Sequence, residues 1–153
     1  MTATPTYKVD VRRLQDFSAI ELHDMLKLRV DVFVVEQKCP YPEIDGNDPH
    51  CLHLRLLYGS DLLACARLWR PTPADRPRIG RVAVSPHHRG KRLGEAVMRE
   101  AILECQNAYP DMVIEISAQS HLQKFYGSLG FTPISDEYLE DDIPHVDMLR
   151  SPQ

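Results

Sequence analysis

The stretch between Ile79 and Gly94 concentrates the residues best suited to binding chemistry. Ile79-Gly80-Arg81-Val82-Ala83-Val84 reads as a buried strand, Ser85-Pro86 ends it, and Arg89-Gly90-Lys91-Arg92-Leu93-Gly94 leads into a helix beginning near Gly90. The first amides of a helix lack intrahelical acceptors and sit at the positive end of its dipole. With Arg89, Lys91 and Arg92 beside them they form an anion site, and Gly90 and Gly94 leave room for a pyrophosphate against the backbone. The familiar phosphate motifs do not fit. A Walker loop needs Ser or Thr after Gly-Lys, whereas Arg92 follows Gly90-Lys91, and no GxGxxG is present. From these residues alone, a phosphate loop and a merely basic helix start are equal readings.

The charge is unevenly spread. From Arg67 to Arg92 the chain carries Arg67, Arg70, Arg76, Arg78, Arg81, Arg89, Lys91 and Arg92 against a single acid, Asp75. From Asp136 to Asp147 it carries Asp136, Glu137, Glu140, Asp141, Asp142 and Asp147 with no Lys or Arg. This asymmetry suits a phosphate-rich ligand beside one stretch and a cation beside the other, although two solvated faces would give the same pattern. The net charge of −4, and the lack of aromatics beyond Trp69 among the arginines, argue against nucleic acid as a partner. Metal chemistry is also disfavoured. Cys39, Cys51, Cys65 and Cys105 show no CxxC spacing, so reduced thiols are expected, and His50 and His53 point to opposite faces of a strand.

The elements that must position this segment follow from apolar periodicity. Ser18 and Glu21 form a capping box, with Phe17 and Leu22 as its hydrophobic staple, and Leu22, Met25, Leu26, Val30 and Phe33 predict a helix from Ala19 to Val35. Cys39 to Pro49 is dense in turn formers and is expected to be a loop long enough to line a site. Leu52 to Leu56 and Leu62 to Trp69 flank Gly59-Ser60 as a hairpin. Leu93, Val97, Ala101 and Cys105 mark the helix after the basic turn, and Val113 to Ser117 is another strand. Ser120 with Gln123 suggests a second capping box before a short helix, His121 to Leu129, closed by Gly130. Phe131 to Leu149 supplies the closing strands. The expected class is α+β, a mixed α/β sheet of about six strands.

With 153 residues, 43% hydrophobic and 26% charged, the chain is expected to form one domain, residues 1–153, with ordinary globular composition. No apolar run approaches the ~20 residues of a membrane span, and Met1 to Pro5 lacks the blocks of a secretory leader. No membrane association and a cytoplasmic location are therefore expected.

At this point the residues resemble the GNAT acyltransferase family. Its phosphate loop reads Gln/Arg-x-x-Gly-x-Gly/Ala, and Arg89-Gly90-Lys91-Arg92-Leu93-Gly94 matches its first and last positions, with Arg92 where the central glycine is usual. Arg81-Val82-Ala83-Val84 before the loop, and Ala118-Gln119 with Phe125-Tyr126-Gly127-Ser128-Leu129-Gly130-Phe131 after it, extend the likeness. Within the family the chain resembles the ElaA-type group through Leu28 to Gln37, Cys39-Pro40-Tyr41, Asp45-Gly46 and Tyr138 to His145. The match covers nearly the whole chain.

The resemblance implies a twisted, mostly antiparallel sheet of six or seven strands, with two central parallel strands that splay apart and flanking helices. Acetyl-CoA would be the cosubstrate, with no metal. Its pantetheine would pair with the backbone of Val82, Ala83 and Val84, and its pyrophosphate would lie on the amides of Arg89, Gly90, Lys91, Arg92, Leu93 and Gly94. The implied reaction is acetyl transfer to a primary amine, on a basic small molecule or a lysine side chain. Tyr126 matches the position of the family's proton donor to the departing thiolate, although its place in the apolar stripe of Leu122, Phe125 and Leu129 also suits a core ring. Glu36, Asp45, Glu115, Glu140 and His145 can each serve as base. Imidazole is the type that titrates near neutrality, and His145 lies in the Ile-Pro-His motif, which ranks it first; a structural histidine bonded to backbone, with the proton carried by ordered water, is the alternative. A CoA or nucleotide sensor without catalysis is the alternative, and a homodimer is left open.

Overall fold

A computed structural model of the chain describes residues 6–152, which leaves the Met1 to Pro5 stretch outside the described residues. Among the described residues, eight strands form one sheet. They are β1 (Lys8–Arg13), β2 (Leu52–Tyr58), β3 (Asp61–Trp69), β4 (Arg78–Val84), β5 (Ile114–Gln119), β6 (Thr132–Pro133), β7 (Tyr138–Glu140) and β8 (Ile143–Arg150). The order is β1-β2-β3-β4-β5-β8-β6, with β7 also pairing with β8. Every pairing is antiparallel except β4 with β5, which share a single register pair, Arg78 opposite Glu115. Beyond it the two strands part, and the splayed central pair that the family resemblance implies is present.

Three α-helices of the described residues flank the sheet: α1 (Ala19–Val30), α2 (Leu93–Ala108) and α3 (Gln123–Gly127). Leu93, Val97, Met98, Ala101 and Cys105 of α2 are buried against one face, over Leu54, Leu56, Ile114, Ile116 and Met148. Met25 and Leu28 of α1, with Val32 just after it, cover the other face at Cys65 and Ala83. Burying each large aliphatic side chain stabilises the fold by roughly 1.5–3 kcal/mol, so both helices are held mainly by these stripes.

The capping box at Ser18 is present. Ser18 Oγ accepts from the Glu21 amide at 3.1 Å, and the Glu21 carboxylate accepts from the Ser18 amide at 2.8 Å. The α-helix ends earlier than Val35, because Asp31–Glu36 widens into a π-helical turn in which the Gln37 amide reaches Val32 O and the Cys39 amide reaches Val34 O. The widened turn aims Phe33, Val34 and Gln37 at the splayed gap.

Other boundaries are corrected too. α2 starts at Leu93 rather than near Gly90, since Gly90 and Arg92 both take left-handed backbone. The capping box at Ser120 does not form: its hydroxyl is buried without a partner, and Gln123 instead donates to the Ser120 carbonyl. A 3-10 turn, Ser120–Leu122, therefore precedes a helix of only Gln123–Gly127. His50 lies in a 3-10 turn before β2, not in the strand. Strand β1 is missing from the sequence-based expectation, although Val9 and Val11 alternate with Lys8, Asp10 and Arg12; it forms as an edge on β2, with Asp10 bonded to Arg55 at 2.7 Å.

Candidate active site

Strand β4 changes face halfway along. Gly80 pairs with Arg67 and Ala83 with Cys65, so Arg81 and Val82 together oppose Ala66 in a bulge, with Arg81 at φ 51°. An L-residue in left-handed backbone costs about 1–2 kcal/mol. The Arg81 guanidinium is held there by Glu43 at 2.8 Å and Asp45 at 3.3 Å. The bulge lets Ile79, Val82 and Val84 all pack towards the α2 core, while Ala83 packs under α1. The side chains of Val82, Ala83 and Val84 thus serve the core, and the β4 edge beyond Arg78 has no strand partner on the β5 side.

The basic loop lies at the end of this strand. Arg92 caps α2 at φ 59° and ψ 29°, the conformation glycine adopts most easily, so an arginine in the central glycine position still closes the turn. No side chain caps α2, and its first amides are free of internal partners. Gly90 is left-handed at φ 79°, and the space where a Cβ would project from it is open to at least 4 Å. A Cβ at Gly94 would lie 3.9 Å from a Val84 methyl, an ordinary packing distance. Arg89 bonds to Glu36 at 2.7 Å, which holds that carboxyl below its ordinary range. These features fit a diphosphate: free amides, a helix dipole and three cationic side chains share one exposed turn.

The gap between β4 and β5 opens into a cavity of about 420 Å³. Tyr126 and His145, separated in sequence, both line it, as do Val82 and Ile116. Tyr126 sits edge-on to Phe125 and Phe131, with ring centroids 5.1 and 6.2 Å away. Burial pushes its phenol up from the ordinary value, so it holds its proton. His145 Nδ1 lies 2.7 Å from the Ile143 carbonyl, which only accepts, so Nδ1 carries a hydrogen and, in the neutral ring, Nε2 holds the lone pair. Nε2 is 3.4 Å from Glu140. Val84 and Arg89 to Gly94 lie outside this cavity, at the far end of β4.

The acids of the long loop do not form a negative mouth. Glu43 and Asp48 are buried and bonded to Arg29 at 2.7 and 2.8 Å, and Asp45 receives both ends of the Arg67 guanidinium at 3.0 Å. Burial alone would raise the Asp45 and Asp48 carboxyls, but bonds from Arg67, Arg29 and the Asn47 amide hold them well below the usual range. The Arg67 to Arg92 block is likewise not one anion surface. Arg67 and Arg81 pair with this acidic cluster, and Arg76 and Arg78 pair with Glu115 at 2.9 and 2.6 Å. The acids of the β7–β8 turn have no arginine or lysine partner among the described residues, and Glu140, Asp141 and Asp142 are exposed there.

Sequence reasoning missed Ser117 and Gln119 on β5, which line the cavity, and Tyr138 and Asp147, which stand behind Ser117. The signal for Ser117 was available: a small polar residue between Ile116 and Ala118, in a strand expected to border the gap. Among the described residues, no group of three His, Cys, Asp or Glu is arranged to hold a metal, and no helix is long and apolar enough to cross a membrane.

Comparison with known proteins bears on this geometry. Residues 22–151 match the family model described as an acetyltransferase (GNAT) domain. Protein ElaA of Escherichia coli K12 is 41% identical over 138 residues, covering 88% of this chain and 90% of that protein. The crystal structure of an acyl-CoA N-acyltransferase from Pseudomonas aeruginosa superposes with a TM-score of 0.89 at 40% identity, covering 95% of this chain and all of the other. The crystal structure of Escherichia coli ElaA gives a TM-score of 0.88 at 37% identity over the same share of this chain. The chain belongs to the GNAT family of acyl-CoA-dependent N-acyltransferases, and within it to the ElaA-like group.

Proposed function

We propose that the protein, acting as one unit over residues 1–153, transfers an acetyl group from acetyl-CoA to a primary amine on a basic small molecule or lysine side chain. The observation that carries this reading is the cavity between the splayed strands, which Tyr126 and His145 enter together. The pyrophosphate binds the amides of Arg89 to Gly94 and the pantetheine lies along Val82, Ala83 and Val84. The neutral nitrogen attacks the thioester carbonyl, so that a C–N bond forms as the C–S bond breaks. The proton leaving nitrogen goes to His145 Nε2, and the Tyr126 hydroxyl donates to the developing thiolate. The products are the acetamide and the CoA thiol, and both side chains return to their starting forms by proton exchange with water.

Elimination supports His145 among the candidate bases. Glu36 and Asp45 are each bonded to arginine, which stabilises the charged form and weakens it as a proton acceptor, and Glu115 is tied up by Arg76 and Arg78. Glu140, the remaining candidate, is exposed and faces His145 Nε2 at 3.4 Å. The reading places the reaction in the cytoplasm, in keeping with four unpaired cysteines.

Gly90→Asp puts a carboxylate against the diphosphate in a turn with space for it. CoA affinity by calorimetry is expected to fall at least tenfold, or ~1.4 kcal/mol. Unchanged affinity in the folded variant would remove the diphosphate from this loop.

The acceptor class is tested at the acidic turn. Asp141 and Asp142 have φ of 51° and 62°, a conformation that Asn tolerates well, so the double change Asp141→Asn, Asp142→Asn removes charge while keeping the turn. The KM for spermidine is expected to rise severalfold in this variant, and to rise with salt in the wild type, because exposed charges are screened over ~8–10 Å. A panel of spermidine, lysine peptides, glutamate and neutral aryl amines gives the order; preference for glutamate, or a KM indifferent to salt, would contradict the basic-amine reading.

A further inference from the structure

Ser117 lines the cavity from β5, and behind it stand two groups that the reaction above leaves unused. Its Oγ is 2.5 Å from the Tyr138 hydroxyl, which in turn donates to Asp147 Oδ1 at 2.6 Å. The register brings them together: Ser117 lies opposite Asp147 in the β5–β8 ladder, and Tyr138 opposite His145 in the β7–β8 ladder.

The direction of this chain is set from its inner end. A carboxylate only accepts, and a phenol has one proton to give. Tyr138 therefore gives its proton to Asp147, and its oxygen accepts from Ser117. The Ser117 hydrogen is committed inwards, so the side of Oγ facing the cavity carries only lone pairs. Burial, reinforced by the bond to Asp147, pushes the Tyr138 phenol up to about 12, which preserves this polarity at neutral pH.

We propose that Ser117 is an acceptor-binding residue that takes a hydrogen bond from an N–H of the incoming amine, with Tyr138 and Asp147 as positioning residues that keep its own hydrogen out of the cavity. The inference rests on the amine reading of the preceding subsection. A neutral primary amine has two N–H groups and one lone pair. With one N–H on Ser117 and the other towards His145, the lone pair is left for the thioester carbonyl. A serine presenting only lone pairs also disfavours carboxylate and carbonyl oxygens, which would face it acceptor to acceptor.

The test is steady-state kinetics with acetyl-CoA and spermidine, together with inhibition by butyrate. Ser117→Ala is expected to lower kcat/KM for spermidine by about tenfold, the effect of one lost hydrogen bond, without moving the KM for acetyl-CoA. Ser117→Thr, which keeps the hydroxyl, restores most of the loss. Tyr138→Phe frees the serine hydroxyl to rotate and donate, so butyrate should inhibit this variant severalfold more tightly than wild type, a gain that loosened folding cannot produce. If the wild type acetylates spermidine but Ser117→Ala keeps its kcat/KM, or butyrate inhibits Tyr138→Phe no better, the Ser117 assignment is overturned and amine acetylation stands. If the wild type acetylates neither spermidine nor any other amine of the panel, the amine reading is overturned and the assignment falls with it.

Discussion

Tyr126→Phe is expected to lower kcat by about 10²-fold or more while leaving the dissociation constant for CoA close to wild type. The hydroxyl works only as charge develops on sulfur, so its loss registers in the transition state and not in ground-state binding. The ring remains to pack against Phe125 and Phe131, so stability should hardly change. Because burial raises the phenol above its ordinary value of ~10, no alkaline loss of kcat from Tyr126 is expected below that pH. Pre-steady-state measurement of thiol release separates chemistry from product release. Wild-type turnover in the variant would return Tyr126 to a packing role.

Arg29→Met is expected to destabilise the fold by about 3–5 kcal/mol in urea unfolding, a large share of the ~5–15 kcal/mol of an ordinary domain. Arg29 is 1% exposed and bonds to Glu43 and Asp48, so its removal leaves two buried acids matched only by Arg81 and Arg67. Arg29→Lys should recover part of the loss, since an ammonium cannot bridge both acids as a guanidinium does. The pH dependence has a definite sign. Asp48 is held below its unfolded value, so its share of stability is complete above ~3.9 and is lost as pH falls below it. That acid-sensitive share should shrink in Arg29→Met, with the part owed to Arg67 remaining. A variant within about 1 kcal/mol of wild type would show that the cluster does not hold the loop.

Arg29 also shows where sequence reading stops. Its place between Met25 and Val32 puts a charge in the apolar stripe of α1, a signal that buried acids must face it, yet nothing local says which acids. The partners lie in a loop with no periodicity, and nothing near Glu43, Asp45 or Asp48 in sequence shows that most of their charge is matched inside. The features that were legible are local ones: the Ser18 capping box, the β2–β3 hairpin about Gly59-Ser60 and the β4-to-α2 turn each depend on neighbouring residues. The bulge at Arg81 was not legible, because it is set by register against β3 and by a carboxylate brought from Glu43. The chain from Ser117 through Tyr138 to Asp147 was hidden for the same reason, since three strands must align before its members meet.

Acyl transfer from CoA to an amine nitrogen is decided by following acetyl-CoA with the purified protein and the amine panel, measuring thiol and product mass together. Thiol release is expected to depend on the amine, with one acetyl group on one amine nitrogen for each thiol formed. Thiol release at the same rate with and without amine, or acetyl-CoA bound and left intact across the panel, would contradict transfer to an amine.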